Sequence, residues 1–315
     1  MLEAERPKWG LRVLCRAVLV GIVLLLGAEA VLRWCVGLGD PPLARLDRVT
    51  EYELIPSAHY RRWGNFIAIN ANGMRAPDHA PWPGPAERRV LLIGDSVVYG
   101  NHFLDQAETI AAQLTGDLAT NPRLAGCTVL ALPMAVSSWG PANQAAALRR
   151  DGTFGAHAAA IVLSAHDLYD VPRLSADILP YQLTRSWTAI GDAVTALVLR
   201  KSRETATTDL RPLEARAQLS LIALGDMVGQ LRAAGIMPKL VYHPTTGERA
   251  GSMRHERATL TDWAWARGIE TIDLGAEITT ADGYRDTIHP NALGAARIAR
   301  VLARSLAPDL PLCDE

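Results

Sequence analysis

The sequence predicts a three-layer α/β/α domain with a central parallel sheet, preceded by one transmembrane helix. Three observations lead to this prediction: an apolar run near the N-terminus, short apolar runs of strand length from residue 89 onward, and helical periodicity between those runs. Strands that alternate with helices along a chain form a parallel sheet covered by helices on both faces.

The N-terminal apolar run contains no charged residue over residues 17–28, and the stretch 11–39 is long enough to cross a bilayer. Four basic residues precede it, Arg6, Lys8, Arg12 and Arg16. This positive flank predicts a cytoplasmic N-terminus and an exported remainder. A cleavable signal peptide and a buried core helix are the alternatives. The signal peptide is disfavoured because Glu29 and Arg33 interrupt the region where a small-residue cleavage site belongs. We therefore expect residues 1–39 to be a cytoplasmic tail and a membrane anchor.

The next segment, residues 40–87, is rich in proline, arginine and aromatic residues and shows little periodicity. It is predicted to be a linker and an irregular lead-in. The first strand follows it as the apolar run 90–93, which ends at Gly94. Further strands are predicted at 127–132, 158–164, 238–242 and 269–274. Helices are predicted at 105–118, 140–150, 213–234, 255–267 and 291–306, with a helical insertion at 171–210.

Composition excludes several classes of function. The 315 residues carry a formal net charge of -1, whereas binding nucleic acid requires a basic excess. The four cysteines, Cys15, Cys35, Cys127 and Cys313, form no CxxC pair, so zinc and thioredoxin-like sites are not supported. A disulfide between Cys127 and Cys313 is left open by the sequence.

Two short segments carry side chains suited to catalysis. Gly94-Asp95-Ser96 follows the first strand, and Asp286-Thr287-Ile288-His289 precedes the last helix. A serine hydroxyl becomes a good nucleophile when a histidine takes its proton, and a carboxylate on the other ring nitrogen fixes the histidine tautomer. Each segment alone is equally typical of a turn or a helix cap. Together they predict Ser96, His289 and Asp286 as a catalytic set.

These segments resemble the blocks of the SGNH/GDSL hydrolase family, in particular its membrane-anchored bacterial members. The similar stretches are LLIGDSVVYG (91–100) and DTIHPNALG (286–294), with weaker likeness in INANGMR (69–75), AVSSWGPANQ (135–144) and IVLSAHDLYD (161–170). The resemblance spans roughly residues 50–306. It implies a flavodoxin-like catalytic domain at 88–315 that cleaves esters through an acyl-serine intermediate on Ser96.

The resemblance also implies an oxyanion hole made of the nucleophile N–H, a glycine N–H and an asparagine side chain. Ser138 stands where the family has glycine, with Gly140 two residues on, and His166 stands where it has asparagine. We expect Ser96, Ser138 or Gly140, and His166 to supply the donors, with the ring N–H of His166 facing the cleft. The sequence leaves open whether His166 replaces the asparagine, weakens catalysis or has a packing role.

Other polar residues near these blocks are assigned structural roles. Asp95 is expected to hold the turn before the helix, Asp167 and Asp170 to make loop hydrogen bonds, and His243 to have a loop role. His166 and His289 lack a third ligand at a recognisable spacing, so neither a metal nor a cofactor is predicted.

The resemblance and the exported position together imply the substrate class. They favour hydrolysis of O-acyl groups, most often acetyl, on a cell-envelope polysaccharide by a single-pass protein of the bacterial inner membrane with a periplasmic domain. An O-acyltransferase with the same triad and a catalytically silent protein of an envelope complex are the alternatives. The expected partners are the acylated carbohydrate and the membrane. The oligomeric state is not predicted.

Overall fold

A computed structural model of the chain describes residues 8–172, 183–205, 211–248, 254–275 and 281–313. Its first element is α1, Lys8–Val31, which continues into a π-helical turn at Leu32–Val36. In the described part of the chain, Arg12–Val36 is the one helical stretch long and apolar enough to cross a membrane, and none of it is buried. A signal sequence near an N-terminus would meet the same criterion.

Two β-hairpins follow α1. β1 (Ala44–Asp47) pairs with β2 (Glu51–Leu54), and β3 (Ala58–Arg62) pairs with β4 (Asn65–Ile69), both antiparallel. Their inward side chains belong to the main hydrophobic core, among them Tyr52, Leu54, Tyr60, Ile67 and Ile69. The prediction that 40–87 is an irregular lead-in is therefore wrong for these residues. Strands of four or five residues are too short for their alternation to stand out in the sequence.

The central sheet has five parallel strands, as predicted. They are β5 (Glu87–Gly94), β6 (Thr128–Ala135), β7 (Ala158–Leu163), β8 (Pro238–Tyr242) and β9 (Thr271–Asp273). Their order is β6-β5-β7-β8-β9, the flavodoxin-like order. Almost every residue of β5, β7 and β8 is buried, which is typical of strands covered on both faces.

Seven helices accompany the described part of this sheet: α2 (Ser96–Tyr99), α3 (Ile110–Ala119), α4 (Pro141–Asp151), α5 (Ala189–Thr205), α6 (Leu213–Ala233), α7 (Arg254–Trp265) and α8 (Ala292–Leu306). α3 packs against α8, and α4 packs against α6. Right-handed crossovers put α3 and α4 on opposite faces, because β6 and β7 lie on opposite sides of β5. The three-layer prediction is confirmed. Within the predicted insertion at 171–210, α5 is the described helix, and 173–182 and 206–210 lie outside the described residues.

A disulfide joins Cys127, directly before β6, to Cys313, with the two Cα atoms 5.5 Å apart. It links the edge of the sheet to the end of the described chain and resolves the pairing that the sequence left open. Cys15 and Cys35 are free and exposed.

Candidate active site

The serine block lies where the strand order reverses. β5 lies between β6 and β7, so the crossover from β5 to β6 and the crossover from β6 back to β7 run in opposite directions and open a crevice beyond the carboxyl end of β5. Gly94 ends β5, and a Cβ there would lie 2.5 Å from Val98 Cγ2, so only glycine allows α2 to start this close to the strand. Asp95 caps α2 by accepting the Val97 N–H at 2.9 Å, as its expected turn role requires. Ser96 is thereby held at the floor of the crevice.

The structure brings together the three residues of the predicted catalytic set. His289 Nε2 lies 2.9 Å from Ser96 Oγ, and His289 Nδ1 lies 2.8 Å from Asp286 Oδ2. The imidazole thus bridges hydroxyl and carboxylate through its two different nitrogens. This is the geometry in which a histidine can take the serine proton while the carboxylate holds the required tautomer.

The carboxylate of Asp286 is kept in its ionised form by its own loop. Its Oδ1 accepts the backbone N–H of Ile288 at 3.0 Å and of His289 at 2.8 Å. Burial alone would raise the pKa of Asp286, but these N–H groups and the His289 ring outweigh it and lower the pKa below its usual range. Asp286 is therefore a hydrogen-bond acceptor throughout the neutral pH range.

His243 directly follows β8 and contacts the loop that carries Asp286 and His289. It is fully buried, and its Nε2 lies 2.7 Å from the Ile288 carbonyl oxygen. Burial lowers the pKa of His243 to about 4, so the ring is neutral at pH 7 and its Nε2–H donates to that carbonyl. The sequence predicted only a loop role; in the structure His243 holds the loop of Asp286 and His289 together with the Thr246 N–H, which donates to the Thr287 carbonyl oxygen at 2.8 Å.

Aromatic side chains pack against the His289 imidazole on the cleft side. The Phe103 ring meets His289 edge-on at 5.2 Å between centroids, and the Arg285 guanidinium lies 4.2 Å from the Phe103 centroid. His102 packs on Phe103 at 4.5 Å, and burial, aided by nearby arginines, lowers its pKa to about 4. Sequence reasoning missed His102 and Phe103, which closely follow the serine block, and Arg285, which directly precedes Asp286.

The cleft above Ser96 has a volume of about 470 Å³. Its wall combines Ser96 and His289 with residues from five segments of the chain, including Asn101, Phe103, Ser137, Ser138, His166, Thr245, Thr287 and Ile288. A site of this size admits a small acyl group together with part of the molecule that carries it.

Backbone N–H groups at two of the predicted oxyanion positions have no hydrogen-bond partner among the described residues. The Ser96 N–H stands in the first turn of α2 and so has no intrahelical partner. Ser138 lines the cleft with φ +62°, the left-handed conformation that explains why glycine is common at such a position, and its N–H has no partner among the described residues. Ser138 therefore adopts a glycine-favouring conformation in spite of its side chain, and the sequence expectation that the backbone angles here suit a side chain is not met.

The prediction for Gly140 is wrong. Its N–H donates to Asn143 Oδ1 at 3.2 Å within the N-terminal cap of α4. Close packing requires glycine at this position, because a Cβ there would collide with the Asp170 carbonyl oxygen. The sequence pattern alone could not distinguish a glycine whose N–H faces an oxyanion from a glycine required by a close backbone contact.

His166 lines the cleft but does not make the predicted contact. Its Nε2 faces Asp95 Oδ2 at 3.3 Å and Asp170 Oδ2 at 3.6 Å, and its Nδ1 is buried without a partner among the described residues. Burial would lower the pKa of His166, but Asp167, Asp95 and Asp170 raise it to about 10. His166 is thus the cation of an acidic cluster beside Ser96, and the expectation that its ring N–H is directed at a bound oxyanion is corrected.

An amide missed by sequence reasoning lies in the same wall. Asn101 lines the cleft five residues after Ser96, and its Oδ1 accepts a hydrogen bond from Ser137 Oγ. Its amide nitrogen has no partner among the residues that the structure describes. The sequence signal was the position directly after Gly100, at the end of the serine block.

One group of side chains has the spacing of a metal site. Ligand atoms of Asp95, His166 and Asp167 lie within 4.8 Å of one another. Both Asp95 oxygens already accept hydrogen bonds, and Asp167 Oδ2 accepts the Ser164 N–H at 2.7 Å, which agrees with the expected loop role. Burial raises the pKa of Asp167 well above its usual range, although the neighbouring His166 acts in the opposite direction.

Comparison with known proteins gives likeness in structure only. No family model and no curated protein matches the chain. A lipase/acylhydrolase from Enterococcus faecalis is 14% identical with a TM-score of 0.44, over 72% of this chain and 99% of that one. A carbohydrate acetylesterase from Sinorhizobium meliloti is 16% identical with a TM-score of 0.42, over 70% of this chain and 99% of that one. A GDSL-like lipase from Bacteroides thetaiotaomicron is 11% identical with a TM-score of 0.43, over 72% and 91%.

Proposed function

We propose that the chain is a serine ester hydrolase of the SGNH/GDSL kind, with Ser96 as nucleophile, His289 as general base and Asp286 as its orienting carboxylate. The observation that supports this most directly is the unbroken hydrogen-bonded series from Ser96 Oγ through His289 to Asp286. The serine and the histidine are 193 residues apart in sequence, so their contact is not a local turn.

In the proposed reaction, Ser96 Oγ attacks the ester carbonyl carbon while its proton passes to His289 Nε2. The carbonyl oxygen becomes an oxyanion, which the N–H groups of Ser96 and Ser138 and the Asn101 amide stabilise. Collapse breaks the ester bond, and the alcohol leaves with the proton held by His289. Water then attacks the acyl-serine by the same route, releasing the acid and freeing Ser96.

For the substrate we propose O-acyl groups, acetyl in the first place, on an envelope polysaccharide outside the cytoplasm. An anchor at 1–39, single-pass in the inner membrane, accounts for the exposed apolar helix and for the basic N-terminal flank. The Cys127–Cys313 disulfide supports export, because such bonds persist in oxidising compartments.

The test is turnover of an aryl acetate by the full-length protein in detergent, beside Ser96→Ala. The parent should hydrolyse the ester and take up a fluorophosphonate at one site, and Ser96→Ala should do neither. A parent that is folded but inert towards both reagents would contradict the proposal and favour a silent binding role. Transfer of acetyl to an added sugar in preference to water would favour the acyltransferase.

A further inference from the structure

The start of α5 is attached to the outer end of the apolar helix α1. Glu29 of α1 accepts the backbone N–H of Ala189 at 2.7 Å and of Ile190 at 3.1 Å, which caps the first turn of α5. The Arg33 guanidinium lies 2.8 Å from Glu29 and also donates to the Trp187 carbonyl oxygen at 3.2 Å. A glutamate within an apolar stretch is thereby paired and hydrogen-bonded.

The same end of α5 is fixed to the folded domain by a buried ion pair. Asp192 is fully buried, pairs with Arg62 of β3, and accepts the Gly39 N–H at 2.7 Å. α5 is therefore held at a set position relative to both α1 and the first hairpins. One face of α5, the face of Asp192, is turned towards protein.

The opposite face of α5 is apolar and exposed. Val194, Leu197 and Val198 have exposed fractions of 57%, 65% and 56%. With about 3.6 residues per turn, these three residues share one side of the helix, away from Asp192. Exposed apolar residues that recur at this spacing form an uncovered stripe.

Two tryptophans lie at the junction of α1 and α5. Trp34 is 77% exposed and Trp187 is 99% exposed, although burying an indole is strongly favourable. Trp34 stands near the end of the apolar stretch Arg12–Val36, the level at which a spanning helix leaves the hydrocarbon. Tryptophan is enriched at this depth because its ring is apolar and its N–H is polar.

We propose that Trp34, Trp187 and the Val194, Leu197 and Val198 face of α5, together called the interfacial surface, bind the outer leaflet of the bilayer that α1 crosses. The lipid is chosen as the occupant because the surface is continuous with α1 through Glu29 and Arg33. This inference rests on the proposed membrane anchor. It adds a second contact, which holds the catalytic domain at a fixed height and tilt against the membrane and so limits the substrates that can reach Ser96.

The experiment uses the full chain in phosphatidylcholine vesicles whose acyl chains carry bromine just below the headgroups. Bromine quenches tryptophan emission on contact, and the chain has 8 tryptophans, so each is tested by its loss. Trp187→Phe and Trp34→Phe should each remove part of the quenched emission. Trp265→Phe, which removes an 83% exposed tryptophan of α7, should leave the quenched part unchanged.

A second pair of variants tests the helix face. Leu197→Glu should release Trp187 from quenching, whereas Ile222→Glu, at a 57% exposed position on α6, should not. Quenching of Trp34 without quenching of Trp187 would overturn the interfacial surface and leave the anchor intact. Absence of quenching at both would refute the anchor itself. Ester hydrolysis, measured separately, is unaffected by either outcome.

Discussion

The imidazole of His166 lies 3.3 Å from the carboxylate of Asp95, the residue directly before Ser96. Asp95 is buried, and its Oδ2 also lies 3.3 Å from Ser96 Oγ. Burial would raise the pKa of Asp95, but the His166 cation outweighs it and lowers that pKa. The charge state of His166 is thus coupled, through Asp95, to the environment of Ser96.

His166→Asn should therefore leave a buried carboxylate without its cation, which costs about 3 kcal/mol of unfolding free energy. His166→Lys should recover much of this loss because it restores the positive charge. Denaturant unfolding of both variants measures the effect. If His166→Asn were as stable as the parent, the ion pair between His166 and Asp95 would make no contribution to stability. Asp95→Asn added to His166→Asn is the control, since it removes the unpaired charge.

The pH dependence of the parent follows from the same pair. The folded pKa of His166, about 10, is above its unfolded value, so its stabilisation is fully present below about pH 6.5 and is lost as pH rises through 10. The His166→Asn variant should not show this loss of stability at alkaline pH. If the free energy of unfolding fell equally steeply with rising pH in the parent and in the variant, the assignment of His166 as a cation would be contradicted.

His243 should act at the other end of the pH scale. Its folded pKa, about 4, is below the unfolded value, so stability is present above about pH 6.5 and is lost as pH falls towards 4. His243→Gln retains a donor for the Ile288 carbonyl but does not titrate in this range. The free energy of unfolding of this variant should therefore fall less steeply as pH decreases. His243→Ala, which has no donor, should lower kcat as well, because the loop of His289 loosens. An unchanged acid limb in His243→Gln would rule out this role.

Asp286→Asn should lower kcat about 10⁴-fold, since the amide stabilises the wrong imidazole tautomer. Binding of substrate should change little, because the cleft keeps its shape. Steady-state kinetics on an aryl acetate separate the two constants. Asp282→Asn, which alters a solvent-exposed ion pair with Arg297, is the matched control and should leave kcat unchanged.

Asn101→Ala should lower kcat by about 10²–10³ if its amide donates to the oxyanion. Asn101→Asp has the same shape but no N–H, and it should be at least as poor, because a carboxylate would repel the developing charge. Activity in Asn101→Asp comparable with the parent would exclude the amide as a donor. KM measured with kcat shows whether the loss is specific to the transition state.

The disulfide should contribute strongly to stability because it closes a loop of 186 residues. Replacing Cys127 and Cys313 with serine should lower the free energy of unfolding by about 3–5 kcal/mol. Reductant should have the same effect on the parent and none on the double variant. Replacement of the free Cys15 and Cys35 is the control, and a loss there of equal size would argue against the loop-closure explanation.

Local sequence was sufficient for the main outline of this protein. The central strands contain short apolar runs, such as 90–93 in β5 and Ala158–Leu163 in β7, and the intervening helices have regular periodicity, so the parallel sheet could be predicted from the pattern alone. Ser96, Asp286 and His289 were also identifiable, because parallel strands deliver their carboxyl ends to one edge. The four short strands between Ala44 and Ile69 were missed, since so few residues carry too little periodicity.

Tertiary structure decided which polar group faces the cleft. Gly140 and His166 match donor positions in the chain, yet the N–H of one is used by Asn143 and the ring of the other by Asp95. Asn101 and His243 stand in ordinary loop sequence, yet one lines the cleft and the other holds the catalytic loop. Sequence determines which donors and acceptors exist. Apart from Asn143, which lies three residues beyond Gly140, these partners lie tens of residues away in sequence, so only the packed fold determines which donors and acceptors remain available for a substrate.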